Sequence, residues 1–143
     1  MRVKDVLASK GSAVATIAPD APISQVLAEL AEHNIGALVV TEDGTAVSGI
    51  VSERDIVRAL HTQGAALLQQ PVSSIMTLGV QTCAPVDEIR DLARTMTDGR
   101  FRHMPVVVHG ALAGIVTIGD IVKGRMDELE TEKSQLVGYI SAP

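Results

Sequence analysis

The strongest constraint on this chain is a nine-residue segment that occurs twice, with starts 65 residues apart. Residues 49–57 read GIVSERDIV and residues 114–122 read GIVTIGDIV. Each copy is an apolar run that ends at a hydroxyl residue, and a carboxylate follows three positions later, at the start of a helix-like stretch. A strand that ends at a helix N-terminus presents free backbone N–H groups and a dipole that favours anions. The duplication therefore predicts two equivalent joints, each able to hold a ligand.

The similarity between the two halves extends beyond these segments. Residues 3–7 match residues 72–76, and residues 16–19 match residues 82–85. The period is much longer than the roughly 20 to 50 residues of solenoid repeats, so a whole small motif is duplicated. With 143 residues and 46% apolar composition, we expect the two copies to share one core and to be related by a pseudo-twofold axis.

Hydrophobic spacing gives the order of elements in the first copy. Helical spacing after Pro22 predicts a helix that stops near Asn34, and residues 35–40 are typical of a buried strand. A Glu-Asp-Gly turn separates that strand from residues 47–51, which predicts a hairpin, and residues 54–60 close the unit as a second helix. The predicted order is a short strand, a helix, two strands and a helix.

The second copy repeats this order, with a hairpin formed by residues 101–108 and 112–116. Pro105 has no N–H group, so we expect it to begin its strand or to lie on an edge. The segment between the copies is too short to separate two independent domains. The predicted organisation is a first repeat (1–62), a linker (63–71), a second repeat (72–123) and a C-terminal helical extension (124–143).

The helical pattern of the second copy continues where that of the first copy stops. Apolar residues keep near-heptad spacing there, which predicts a helix with one apolar edge. Such an edge needs cover, either from the chain's own core or from a dimer contact, and the sequence favours neither alternative. The residues of this edge are Ile121, Val122, Met126, Leu129, Leu136 and Ile140.

Composition and missing motifs argue against several classes of function. A net charge of −5, the lack of a Lys/Arg run and the near absence of aromatic residues disfavour nucleic-acid binding. The single cysteine, the absence of an N-terminal apolar segment and the absence of a bilayer-length apolar run predict a cytoplasmic protein without a membrane anchor. Nucleophile-elbow, Walker, Rossmann and metal-ligand patterns are missing, so neither catalysis nor a metal site is expected.

With its two Gly-hydrophobic-hydrophobic-Ser/Thr-x-x-Asp signatures, the chain resembles a tandem pair of CBS domains. These are regulatory modules that bind adenosine-containing ligands in a cleft between two repeats and typically assemble as homodimers. The resemblance covers residues 1 to about 123. It implies a mixed α/β (α+β) fold of two β-α-β-β-α repeats packed with pseudo-twofold symmetry, followed here by an extended C-terminal helix.

The resemblance also implies roles for the signature residues. In that family the Asp binds the ribose hydroxyls and the Ser/Thr contacts a phosphate, which by position are Asp55 with Ser52 and Asp120 with Thr117. A carboxylate has acceptors for both hydroxyls of a cis diol, and such charge-assisted hydrogen bonds contribute roughly 1.5 to 3 kcal/mol each. An Asp at this position is also a common helix cap, but its occurrence in both copies favours the ligand role.

Basic residues predict that the two sites are unequal. Arg102 and His103 are the main candidates for phosphate contacts and Arg100 is a weaker one, although an interior histidine and a solvated arginine are alternatives. The matching residues 35–39 of the first copy include no basic residue. Arg54, inside the first signature, either contacts a phosphate or pairs with a carboxylate. We expect one well-formed site and one that is weaker, empty or adapted, and a dinucleotide such as NAD would occupy both.

The adenine base needs an apolar slot with backbone hydrogen bonds. The strands that open each repeat, residues 14–17 and 80–83, are the expected walls, together with the first isoleucine of each signature. These side chains are equally suited to a core. The proposed adenine pocket comprises Thr16, Ile17, Ile50, Thr82, Cys83 and Ile115.

Together these features predict a non-catalytic module for signal transduction or energy sensing that binds AMP, ADP, ATP or NAD(H). Its expected partners are a second copy of the chain and an unidentified target protein. The alternative is a ligand-independent protein–protein interaction or structural dimerisation module, in which the Asp residues are caps and the C-terminal helix is the working surface. Stabilisation by a nucleotide distinguishes the two, because a ligand that binds only the folded state raises its stability.

Overall fold

The chain, described over residues 1–143 by a computed structural model, folds into five α-helices and five β-strands. The mixed α/β prediction is confirmed, including the long C-terminal helix. In chain order the elements are α1 (Val3–Lys10), β1 (Thr16–Ile17), α2 (Ile23–His33), β2 (Ala37–Val40), β3 (Gly49–Ser52), α3 (Glu53–Gln63), α4 (Ile89–Gly99), β4 (His103–Val108), β5 (Ala111–Thr117) and α5 (Ile118–Ser141).

Each half of the chain contributes one antiparallel hairpin, as predicted. β2 pairs with β3, with Leu38 opposite Val51, and β4 pairs with β5, with Met104 opposite Val116. All four of these side chains are buried in the two hydrophobic cores. β1 joins β2 in parallel, so the first sheet has three strands and the second has two.

Pro105 explains why the second sheet lacks a third strand. In the first sheet the N–H of Val39 donates to the carbonyl oxygen of Ala15, next to β1, over 3.3 Å. Pro105 occupies the matching position in β4 and has no N–H to donate, so only the bridge between Cys83 and Val106 forms. The expected edge position of Pro105 is confirmed, and the strand predicted at residues 80–83 is reduced to that bridge.

The segments that open the repeats are exchanged between two hydrophobic cores. Val3 and Val6 of α1 are buried with Ile89 and Val116 of the second repeat. Val72, at the start of the second repeat, is instead buried in the core of the first. Two N–H···O bonds of 2.9 Å hold the first turn of α1 to the second repeat. Each core is therefore completed by a segment that the sequence period assigns to the other copy.

The segment predicted as a linker is itself structured. Residues 64–69 form a 3-10 helix, and Leu67 within it is fully buried in the core of the first repeat. A second 3-10 turn, Val72–Ser74, follows directly. The connection between the repeats is thus part of the packed structure.

Both signature glycines lie beneath an exchanged segment. A Cβ atom on Gly114 would come within 2.9 Å of the Leu7 side chain of α1. A Cβ atom on Gly49 would lie 2.8 Å from the Met76 sulfur and 2.9 Å from the Thr77 carbonyl oxygen. The absence of a side chain at these positions lets the exchanged segments pack closely on β5 and β3.

Helix α5 packs on the second repeat only through its first turns. It has 24 residues, which corresponds to a length of about 36 Å, and Ile121 and Gly124 are its buried residues. One of the two alternatives for the apolar edge was that it packs on the chain's own core. That alternative is wrong for all edge residues except Ile121. The other five residues of that edge are between 52% and 72% exposed: Val122, Met126, Leu129, Leu136 and Ile140.

Candidate functional site

The two signatures form nearly identical joints between a strand and a helix. Ser52 is the N-cap of α3, and its Oγ accepts the Asp55 N–H (3.3 Å) while Asp55 Oδ2 accepts the Ser52 N–H (2.9 Å). Thr117 is the N-cap of α5, and the corresponding distances to Asp120 are 3.2 Å and 2.9 Å. Each joint is a reciprocal capping box.

The capping role engages only one oxygen of each carboxylate. Oδ2 of Asp55 accepts from the N–H and also from the hydroxyl of Ser52, the latter over 3.0 Å. All hydrogen bonds that Asp120 accepts likewise fall on Oδ2. Oδ1 of each carboxylate is left for a further donor. Each Asp can therefore cap its helix and accept a hydrogen bond from a ligand at the same time, so the two alternatives are compatible.

A cleft of about 270 Å³ lies beside Asp55. Its walls are the β3–α3 joint, a segment between Thr77 and Gln81, and the residues that link α4 to β4. The Arg54 guanidinium donates to the Arg100 carbonyl oxygen over 3.4 Å and so connects two of these walls. The cleft brings together seven of the predicted site residues: Ile50, Ser52, Arg54, Asp55, Arg100, Arg102 and His103.

The first cleft is rich in positive charge. Four arginines and two carboxylates line it, although the chain as a whole has a net charge of −5. Arg58 was not among the predicted site residues; it follows Arg54 by four residues on α3 and therefore shares its helix face. That spacing was the available signal. The local excess of guanidinium groups favours an anionic ligand. The arginines are Arg54, Arg58, Arg100 and Arg102.

A second cleft, of about 760 Å³, occupies the position related to the first by the duplication. The predicted site residues Thr16, Ile115 and Thr117 line it, but Asp120 does not. Lys10 lines this cleft, and its ammonium group donates to Asp120 Oδ2 over 2.7 Å. Burial raises the pKa of Asp120, but the hydrogen bonds from Lys10 and Thr117 outweigh that effect and hold it below its usual value.

The two clefts adjoin at the pseudo-twofold axis. Gly36, Glu53, Arg102 and His103 line both of them. A Cβ atom on Gly36 would lie 3.1 Å from Glu53 Oε1 and 3.4 Å from His103 Nε2, so these groups are close together. Burial lowers the pKa of His103, and Arg102 acts in the same direction while Glu53 opposes it. The imidazole is therefore neutral at pH 7 and offers one donor and one acceptor.

Three residues of the predicted adenine pocket do not line either cleft. Ile17 and Cys83 are 5% and 6% exposed and belong to the two hydrophobic cores. Alternation along a strand turns Thr16 toward the cleft and Ile17 into the core. Thr82 is also outside both linings. Burial raises the pKa of the Cys83 thiol to about 12, so it stays protonated as a core side chain.

Two further observations concern metals and membranes. No group of three or more His, Cys, Asp or Glu side chains is arranged to hold a metal ion. None of the helices combines the length and the apolar character that crossing a membrane requires.

Comparison with known proteins identifies the family. The family model for the CBS domain matches twice, over residues 3–62 and 72–127. The CBS-domain containing protein ATU1752 from Agrobacterium tumefaciens is 49% identical, with a TM-score of 0.84 and coverage of 87% of this chain and 92% of that chain.

Two similar structures were solved with adenosine compounds. The CBS domain protein PAE2072 from Pyrobaculum aerophilum, complexed with AMP, is 28% identical, with a TM-score of 0.74 and coverage of 84% of this chain and 89% of that chain. The CBS domain pair of protein MJ0100, in complex with 5′-methylthioadenosine and S-adenosyl-L-methionine, is 26% identical, with a TM-score of 0.77 and coverage of 90% and 98%. Since both halves match the family model and the fold is shared, this chain belongs to the CBS-domain family, as a tandem pair.

Proposed function

We propose that this CBS-domain pair is a non-catalytic regulatory module that binds an adenosine-containing nucleotide, AMP, ADP, ATP or NAD(H), in the first cleft. The observation that carries the proposal is the combination there of Asp55, whose Oδ1 is uncommitted, with four arginines. A carboxylate is suited to a ribose diol, and guanidinium groups are suited to phosphate. The adenosine compounds in two similar structures support the same ligand class.

The proposed roles follow from the walls of the cleft. Asp55 accepts hydrogen bonds from the ribose hydroxyls through Oδ1. The arginines hold the phosphates, and neutral His103 donates one hydrogen bond to them. The Ser52 hydroxyl turns from Asp55 Oδ2 to donate to a phosphate oxygen when the nucleotide binds. The adenine lies between Ile50 and the backbone of residues 77–81.

Thermal unfolding with AMP, ADP, ATP, NAD, NADH and S-adenosylmethionine tests this function. At least one compound is expected to raise Tm, because a ligand at about 100 times its Kd stabilises the folded state by roughly 2.7 kcal/mol. Asp55→Asn is expected to weaken binding about tenfold or more, and a 2′-deoxy analogue is expected to bind the wild type less tightly. Asp127→Asn, an exposed site on α5, is the matched control.

Each Tm shift is measured against the same variant without ligand, since Asp55→Asn also weakens a helix cap. Equal binding of the ribo and deoxy forms would refute the role of Asp55. A wild-type Tm that responds to none of the compounds would refute the nucleotide-binding function.

The uncovered edge of α5 supports a second element of the proposal. We propose that the chain forms a cytoplasmic homodimer through this edge and passes ligand occupancy to a target protein. The same edge favours the alternative function, a structural dimerisation module without a ligand, because none of its exposed residues lines either cleft.

A further inference from the structure

The two signature carboxylates differ in their access to the clefts. Asp55 lines the first cleft, whereas Asp120 does not line the second, although Thr117 of the same joint does. Lys10, the last residue of α1, lines the second cleft instead. Its ammonium group donates to Asp120 Oδ2 over 2.7 Å and to the Ile115 carbonyl oxygen over 3.0 Å. A cation therefore covers the carboxylate at one joint only.

Lys10 reaches the second joint because α1 packs in the core of the second repeat. α1 packs along β5, with Leu7 over Gly114, so the end of the helix lies beside the second joint. At the first joint the matching segment places Met76 over Gly49. The alignment that pairs Leu7 with Met76 puts Gly79 at the position of Lys10, so the first cleft has no corresponding ammonium group.

The contact places the Lys10 ammonium group on the cleft side of Asp120, since Lys10 lines the second cleft and the carboxylate does not. Lys10 and Asp120 are 31% and 22% exposed, so the pair is partly withdrawn from water and is less screened than a surface pair. A ribose diol needs a carboxylate that faces the ligand, as Asp55 does. At the second joint the ammonium group would have to move away before a ribose reached Asp120, including its uncommitted Oδ1, and that movement would break a charge-assisted hydrogen bond.

We propose that Lys10 makes the two clefts unequal: it holds Asp120 and prevents the second cleft from binding an adenine ribonucleotide. One chain then binds one nucleotide, in the first cleft. This inference rests on the proposed function of the first cleft and adds the residue that decides the stoichiometry.

Isothermal titration of the full chain with AMP tests the inference. The wild type is expected to bind one AMP per chain. Lys10→Met keeps most of the aliphatic stem and removes the charge, so it is expected to bind two, with at least about tenfold higher affinity at the second cleft than the wild type shows there. Lys10→Arg retains a cation and is expected to bind one. Lys4→Met, exposed on the same helix, is the matched control and is also expected to bind one.

Double variants assign each site. In the Lys10→Met background, Asp120→Asn is expected to remove the second site and Asp55→Asn the first. Lys10→Gln is a second charge-removing variant if Lys10→Met does not give the circular dichroism spectrum of the folded protein.

The possible outcomes separate this inference from the function on which it rests. One AMP per chain in the wild type, Lys10→Met and Lys10→Gln would overturn the inference and leave nucleotide binding intact. Two sites in the wild type would also overturn it, as would weaker binding after loss of the lysine charge, since Lys10 would then be a ligand residue. Absence of AMP binding in every protein would overturn the inference, and the thermal unfolding series with the other nucleotides would then decide the proposed nucleotide-binding function.

Discussion

At the residue scale, each signature Asp satisfies a helix terminus and keeps an acceptor free. Asp55 and Asp120 occupy the same capping geometry, yet their surroundings differ because only Asp120 has an ammonium partner. The surroundings also decide the protonation of His103, which lines both clefts. His103 lies among Arg102, Glu53, Lys10 and Asp120, and its protonation depends on the balance of burial and these charges.

The pH dependence of stability tests this placement of His103. Burial, with Arg102 in support, lowers the pKa of His103 below its usual 6.5. The folded state therefore binds this proton less readily than the unfolded state, so the stabilisation is present above about pH 6.5 and is lost as the pH falls toward the folded pKa. Between about pH 7.5 and pH 5.5 we expect the wild type to lose more unfolding free energy than His103→Gln. Urea unfolding at both pH values measures this, and equal losses would contradict it.

At the element scale, the exchanged segments explain the glycine of each signature. α1 lies on β5 and the residues after the 3-10 turn lie on β3, and in each case the strand carries glycine at the contact. A Cβ atom added at Gly114 would meet different atoms from one added at Gly49. At Gly114 they belong to the flexible end of Leu7, whereas at Gly49 they include the backbone oxygen of Thr77.

This difference predicts unequal costs of the same substitution. Gly49→Ala is expected to lower the free energy of unfolding by about 1 to 3 kcal/mol, because backbone must move. Gly114→Ala is expected to cost less, since the Leu7 side chain can rotate. Gly138→Ala is the control: it lies in α5 with nothing within 4 Å and is expected to be neutral or stabilising. Urea unfolding of the three variants measures the order, and a larger cost at Gly114 would contradict it.

At the scale of the whole molecule, charge and apolar surface are unevenly distributed. An acidic chain concentrates arginines in one cleft, and its largest helix leaves an apolar edge without cover. Exposed apolar edges of this kind are typical of protein–protein interfaces. Both features point to contacts with other molecules.

The uncovered edge predicts a dimer that depends on α5. We expect the wild type to sediment as a dimer at micromolar concentration and the double variant Met126→Glu, Leu129→Glu to sediment as a monomer, because two carboxylates would be buried without partners. Gln135→Glu adds a charge on a different face of α5 and is expected to remain a dimer. Sedimentation velocity measures the masses. A wild-type monomer at all accessible concentrations would refute the interface.

Local pattern was sufficient for much of this molecule. Hydrophobic periodicity and turn residues predicted both hairpins and the long last helix, because these depend on residues close together in sequence. The missing N–H of Pro105 correctly indicated an edge. The duplicated signature located the Ser52–Asp55 joint, and the basic residues that the sequence singled out, Arg54, Arg100, Arg102 and His103, all line the first cleft.

The sequence by itself determined the repeated motif, the order of elements and the residues at each strand-to-helix joint, since short-range geometry governs them. Only the tertiary structure decided which core receives α1, that Lys10 reaches Asp120, and that Ile17 and Cys83 face inward. These outcomes depend on contacts between segments far apart in the chain. Spacing within one segment does not specify such contacts, because the packing of the two cores against each other selects among several compatible arrangements.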